Sequence, residues 1–144
     1  MALFPEDVST FVRAAGPTPT GLQRAMEEYG RVRGSPIIGP ELGGLLAIVT
    51  RMVGATHVLE FGSGSGYSAT WFLRGLPDDG EVVLTELDDD LAEPGRDFFE
   101  RAGEADRVTC EVGDAMAVVE RHDGPFDVVF VDHETHRTST RSSR

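Results

Sequence analysis

Three acidic residues stand where apolar runs end. Glu60 closes "THVLEF", two residues before the first of three alternating glycines, Gly62, Gly64 and Gly66. Glu86 closes "EVVLTE", 20 residues after Gly66, and Asp114 follows "RVTCEV" within "VGDA". Glycines at such spacing serve where φ is positive or where a ligand must approach the backbone closely. Counted from Gly62, a G-x-G-x-x-G fingerprint fails at Tyr67. Counted from Gly64, the set Gly64, Gly66 and Ala69 satisfies G-x-G-x-x-A, so a dinucleotide site stays open on the loop alone. Glu60 weighs against it, because a carboxylate there repels a pyrophosphate and suits a cation. Glu86 stands where an acid accepts both hydroxyls of a ribose. Together the acids fit a cationic nucleoside without phosphate, and S-adenosylmethionine has those parts.

Each residue also has a plainer reading. Glu60 caps the following helix in one of them, and Asp114 is the N-cap of the helix after it. Glu86 with Asp88, Asp89 and Asp90 reads equally as a solvated acidic turn. Trp71 and Phe72 read as core. Cys110, alone in an alternating apolar run, reads as an inert thiol and permits no internal disulfide. His122, His133 and His136 lack metal-ligand spacing; only His133 is retained, for its neighbour Asp132.

These residues need a scaffold. "PEDVSTFVRAAG" and "TGLQRAMEEYGRVRG" read as two helices split by "GPTPT" and closed by Gly34, followed by the turn-rich linker "SPIIGP". "ELGGLLAIVTRMVG" reads as an apolar-faced helix ending at Gly54. Strands are expected at 56–61, 81–86, 107–112 and 126–132, with helices at about 67–74, 91–102 and 115–121 between them. Pro94 and Gly95 fit the second of these only if it starts near Leu91, with Pro94 in its first turn. Strands alternating with helices predict a parallel sheet covered on both faces, with ligands at its carboxyl edge.

Composition narrows the partners. The chain has 144 residues and a net charge of −12, and all 13 of its basic residues are arginine. A chain so acidic and without lysine repels nucleic acid. The balance suits a halophile's cytoplasmic protein, with ordinary acidic composition as the alternative. No basic-then-apolar leader opens the sequence, and "LLAIV" is far short of a membrane span.

The run from "PIIGPELGG" through "VLEFGSGSGYSA", "VVLTELDDD" and "VTCEVGDAMAVV" to "FDVVFVDH" resembles the class I O-methyltransferases of the catechol and caffeoyl-CoA type. The family motif E-x-G-x-x-x-G-Y-S meets Glu60, Gly62, Gly66, Tyr67 and Ser68. The resemblance implies an α/β, Rossmann-like domain over residues 35–137, behind an N-terminal helical cap over 1–34, and S-adenosylmethionine as cofactor. By position it implies that Ser68 and the loop amides, Gly64 included, hold the amino-acid end, with Ile38 packed beside it. Glu86 takes the ribose hydroxyls, Leu87 flanks the adenine, Asp114 and Ala115 meet its edge, and Asp132 and His133 lie by the sulfonium. It further implies a small hydroxylated methyl acceptor, with a homodimer among the allowed assemblies.

Two departures follow. The family's general-base Lys falls at Thr135, and Asp132, the candidate Mg²⁺ ligand, lacks the later Asp-Asn pair that completes the site. A nucleoside-binding module without turnover is therefore the alternative reading, and a nicotinamide-dependent oxidoreductase the third. The tail "TSTRSSR" (138–144) is expected to be a frameshift product of a longer gene. With serine codons of the TCN and arginine codons of the CGN type, restoring one T after Arg137 turns Thr138 into Tyr, as in the family, and puts apolar residues at 138, 139, 142 and 143. A naturally disordered tail is the other reading.

Overall fold

A computed structural model describes residues 5–132. Three helices come first: α1 (Glu6–Ala15), α2 (Gly21–Arg33) and α3 (Pro40–Met52). Then β1 (His57–Phe61), α4 (Tyr67–Gly75), β2 (Glu81–Glu86), α5 (Asp89–Ala102), β3 (Val108–Val112), α6 (Ala115–Arg121) and β4 (Val128–Val131) alternate. The strands form one parallel sheet in the order β3-β2-β1-β4. This is the α/β, Rossmann-like arrangement expected, with element ends shifted by a residue or two. The tail 138–144 and position 135 lie outside the described residues.

Alternation along the strands divides the core. Val58, Val82, Leu84 and Val108 point to one face, where they pack with Tyr67, Trp71 and Phe72 of α4 and Phe99 of α5. Leu59 and Val83 point to the other face, where Val118 of α6 meets them. Helices thus lie on both faces, but unevenly. Among the described residues nothing covers Val129 and Val131 of β4, which are 52% and 55% exposed.

Of the N-terminal helices, α2 packs into the main core. Thr20 and Gln23 form a reciprocal capping box at the start of α2, and Gly34 closes it at φ 66°. Met26 of α2 is fully buried within the main core. The Gln23 side chain donates to Thr70 Oγ1 and accepts from Arg74. At the amino edge of the sheet Asp127 accepts from the backbone amides of Thr56 and His57 and from the Thr56 hydroxyl, clipping the approach to β4 against β1.

Two helix boundaries depart from expectation. α3 ends at Met52 rather than Gly54, which instead takes φ 64° in the turn beyond. α5 starts at Asp89, two residues before Leu91, because the Asp88 carboxylate caps it by accepting from the Asp90 amide. Pro94 is therefore past the first turn, where it forgoes a bond to the Asp90 carbonyl. The Ser65 carbonyl of the glycine loop lies against α5 there: a Cβ on Gly95 would sit 2.6 Å from that oxygen.

Candidate functional site

A cleft of about 710 Å³ opens at the carboxyl ends of the strands, within the range of small-molecule sites. Its floor is the glycine loop. Gly62, Gly64 and Gly66 all take positive φ (76°, 51° and 79°), a conformation strained for any side chain. Gly66 has a further reason: a Cβ there would lie 2.8 Å from Leu84 and 2.9 Å from Phe99. It starts α4 and is absent from the cleft wall, whereas Gly62 and Gly64 line it.

Left-handed turns fold the loop back on β2, and its amides are taken up there. Gly62 and Ser63 donate to the Thr85 carbonyl, and Gly66 donates to Ser63. Gly64 donates to Glu86 Oε2 at 2.9 Å, while Glu86 Oε1 accepts from the Leu87 amide at 2.8 Å. The sequence reading gave these amides to a ligand. In this state four of them are bonded within the protein instead, a poor cradle for a pyrophosphate.

Glu60 is the deepest acid of the site, 1% exposed. Its oxygens lie 2.5 and 2.6 Å from Ser68 Oγ on α4. Burial pushes its pKa up to about 8; the Ser68 bond works the other way, and the Asp132 charge adds to the rise. Beside it the Tyr67 phenol, also raised by burial, donates to Glu27 Oε1 at 2.5 Å. Asp114 caps α6 by accepting from the Met116 and Ala117 amides, and it lines the cleft as well.

The cleft therefore gathers Ile38, Glu60, Gly62, Gly64, Tyr67 and Ser68. From β2 onward it adds Glu86, Leu87, Asp114, Ala115 and Asp132. His133 lies outside the described residues. Sequence reasoning missed Tyr29 on α2, Pro36 and Ile37 in the linker and Leu91 on α5, all of which line the wall. Pro36 and Pro40 bracketing two isoleucines was the available signal for a rigid apolar wall. Tyr29 gave none, since its place depends on α2 packing edge-on to Phe98.

Four carboxylates line the cleft and, among the described residues, no arginine or histidine does. A metal fits less well. No group of three or more His, Cys, Asp or Glu among the described residues could hold one, and Mg²⁺ prefers octahedral oxygen coordination. Cys110 is partly buried, its thiol pushed up to about 11 by burial, and it stays inert.

Comparisons with known proteins converge. A family model described as O-methyltransferase matches residues 23–139, beginning inside α2. A catechol O-methyltransferase of Mycobacterium tuberculosis is 38% identical over 96 residues, 66% of this chain and 44% of that protein. One from Niastella koreensis is 32% identical over 99 residues, 66% of this chain and 45% of that protein. The chain spans less than half the length of these relatives. Among solved structures, a Bacillus cereus O-methyltransferase in complex with SAH superposes with a TM-score of 0.78 at 28% identity, covering 88% of this chain and 60% of that one. The Streptomyces achromogenes O-methyltransferase of tomaymycin synthesis, in complex with SAM, gives 0.79 at 28% identity over the same shares.

Proposed function

This chain belongs to the O-methyltransferase family, and from that premise we propose that its cleft binds S-adenosylmethionine for methyl transfer to a small, catechol-like hydroxylated acceptor. The observation that carries the reading is the charge of the wall: Glu86, Asp114 and Asp132, beside the buried Glu60, with no facing cation among the described residues. Such a wall attracts a sulfonium and an ammonium and repels the pyrophosphate of a nicotinamide dinucleotide. The relatives that carry SAM or SAH and the name catechol O-methyltransferase support the cofactor and acceptor classes.

Bound there, the cofactor supplies a methyl group on positive sulfur. In this proposal Glu86 exchanges the Gly64 amide for the ribose hydroxyls. Leu87 flanks the adenine, with Asp114 and Ala115 at its edge. Ser68 and Ile38 position the amino-acid end, and Asp132 with His133 borders the sulfonium. The protein's contribution is alignment of the acceptor oxygen with the methyl group. No proton transfer is assigned, because Thr135 stands where the family carries its lysine.

Cofactor binding without turnover is the second reading for this 144-residue chain. It is favoured by Asp132 standing without a metal-binding cluster among the described residues. Incubation with labelled S-adenosylmethionine, Mg²⁺ and catechol separates the two: without turnover the label stays on the protein and none reaches catechol. Transfer that a chelator abolishes and Mg²⁺ restores would overturn the inactive reading. Label on neither protein nor catechol would overturn the cofactor.

We place the protein in the cytoplasm; no helix among the described residues is long and apolar enough to cross a membrane. We also pair the chain with a second copy. Leu45, Ile48, Val49 and Met52 form an exposed stripe on α3 without an acidic residue, where two copies of net charge −12 can meet at least electrostatic cost.

A further inference from the structure

Glu27 stands outside the cleft wall but is bonded to it. Its Oε1 accepts from the Tyr67 hydroxyl at 2.5 Å, and Tyr67, 2% exposed, lines the cleft as the first residue of α4. The helix that carries Glu27 also carries one side of the cleft. Past Arg33 the chain turns at Gly34, and Ser35, Pro36, Ile37 and Ile38 run along the opening as its wall. That wall is seated back on α2. The Ser35 amide donates to the Gly30 carbonyl at 3.0 Å, and a Cβ on Gly30 would lie 3.3 Å from Ile37 Cγ2. Glu27 and Gly30 are three residues apart and share a face of α2.

The two halves of α2 are held differently. Gln23 bonds to Thr70 and Met26 is buried in the core, so the first half is fixed without Glu27. The second half, which leads into the wall, leans on the Tyr67 bond and on Tyr29 packed edge-on to Phe98. A ring pair of that kind is satisfied over centroid separations of about 4.5–7 Å, so it lets the helix shift. A hydroxyl-to-carboxylate bond is confined to about 2.5–2.7 Å. Of the two, the bond is what holds the wall in one place.

We propose that Glu27 is a positioning residue: through the Tyr67 hydroxyl it holds the 35–38 wall against the amino-acid end of the cleft, and so sets how tightly that part of the cofactor is gripped without touching it. The inference rests on the cofactor reading above, which puts Ile38 and Ser68 at that end. Adenosine lies elsewhere, at Glu86, Leu87, Asp114 and Ala115. A bond that served the fold alone would matter equally to every ligand of the cleft, whereas a bond that places the wall matters to the amino-acid end.

Calorimetry on the full chain compares two ligands. S-adenosylhomocysteine and 5′-methylthioadenosine share the adenosine and the sulfur, and the first alone carries the amino acid. Glu27→Ala keeps a good helix former on α2. It and Tyr67→Phe should each lose about five- to tenfold in affinity for S-adenosylhomocysteine. Both should bind methylthioadenosine within about twofold of wild type. The double variant should be no weaker than either single one, because the same bond is removed in all three. Glu27→Gln, which keeps an acceptor for the phenol, should recover most of the loss. Should Tyr67→Phe prevent folding, the two Glu27 variants decide alone. Unchanged affinity for S-adenosylhomocysteine in Glu27→Ala, or an equal loss for both ligands, would overturn the inference and leave the cofactor reading intact. Wild type that fails to bind S-adenosylhomocysteine would overturn both.

Discussion

The raised pKa of Glu60 has a consequence for stability apart from any ligand. Unfolded, the side chain titrates in the ordinary carboxylate range; folded, it keeps its proton up to about pH 8. Between those values the unfolded chain binds fewer protons than the folded one, so this group's contribution falls as pH rises. Glutamine removes the titration and keeps an acceptor for the Ser68 hydroxyl. Thermal melts of Glu60→Gln and wild type should therefore diverge from about pH 5 to pH 8, with the variant gaining; parallel curves would contradict a protonated Glu60. At this scale the sequence exposed the acids well, because each ends an apolar strand. It left the Glu60–Ser68 pairing hidden, since that depends on how α4 leaves the loop. Asp114 shows a further limit: capping and lining are compatible, and residue type alone could not separate them.

Among the elements, the joint between the glycine loop and α5 is the most demanding. Pro94 and Gly95 look like helix breakers, which is why the sequence suggested a later start for α5. Asp88 caps early instead, and the missing Cβ of Gly95 makes room for the Ser65 carbonyl. Gly95→Ala should cost about 1–3 kcal/mol, as overpacking against backbone does. Because the loop is the floor of the cleft, it should also weaken cofactor binding. Denaturant unfolding and a binding titration check both, and a variant as stable as wild type would contradict the contact. Asp127→Ala should lower the melting temperature by releasing the three donors of Thr56 and His57. The parallel sheet was legible from alternation; its order β3-β2-β1-β4 was not. Neither Asp127's clip nor Tyr29's place in the wall could be read, because both join segments far apart in sequence.

For the whole molecule, net charge −12 and an unevenly covered sheet set the behaviour. Self-repulsion among exposed carboxylates is screened as the Debye length shrinks from about 10 Å at 0.1 M salt to about 3 Å at 1 M. The melting temperature should therefore climb with KCl over that range; a flat or falling curve would count against the halophile reading. Exposed Val129 and Val131 on β4, with the apolar stripe of α3, should make the chain associate as concentration rises. Light scattering should show mass growing with concentration, and a polar substitution at Ile48 should reduce it if α3 is the contact. The central claim is that the acidic cleft holds a cationic, phosphate-free nucleoside by its ribose. Calorimetric titration of wild type and Glu86→Ala with S-adenosylmethionine and NAD⁺ tests it most directly. Two charge-assisted bonds, each worth roughly 1.5–3 kcal/mol, are at stake, less what Glu86 gives up at Gly64 and Leu87. The account predicts that wild type binds S-adenosylmethionine and not NAD⁺, and that Glu86→Ala loses at least about tenfold in affinity. Binding of NAD⁺, or unchanged affinity for S-adenosylmethionine in the variant, would contradict it.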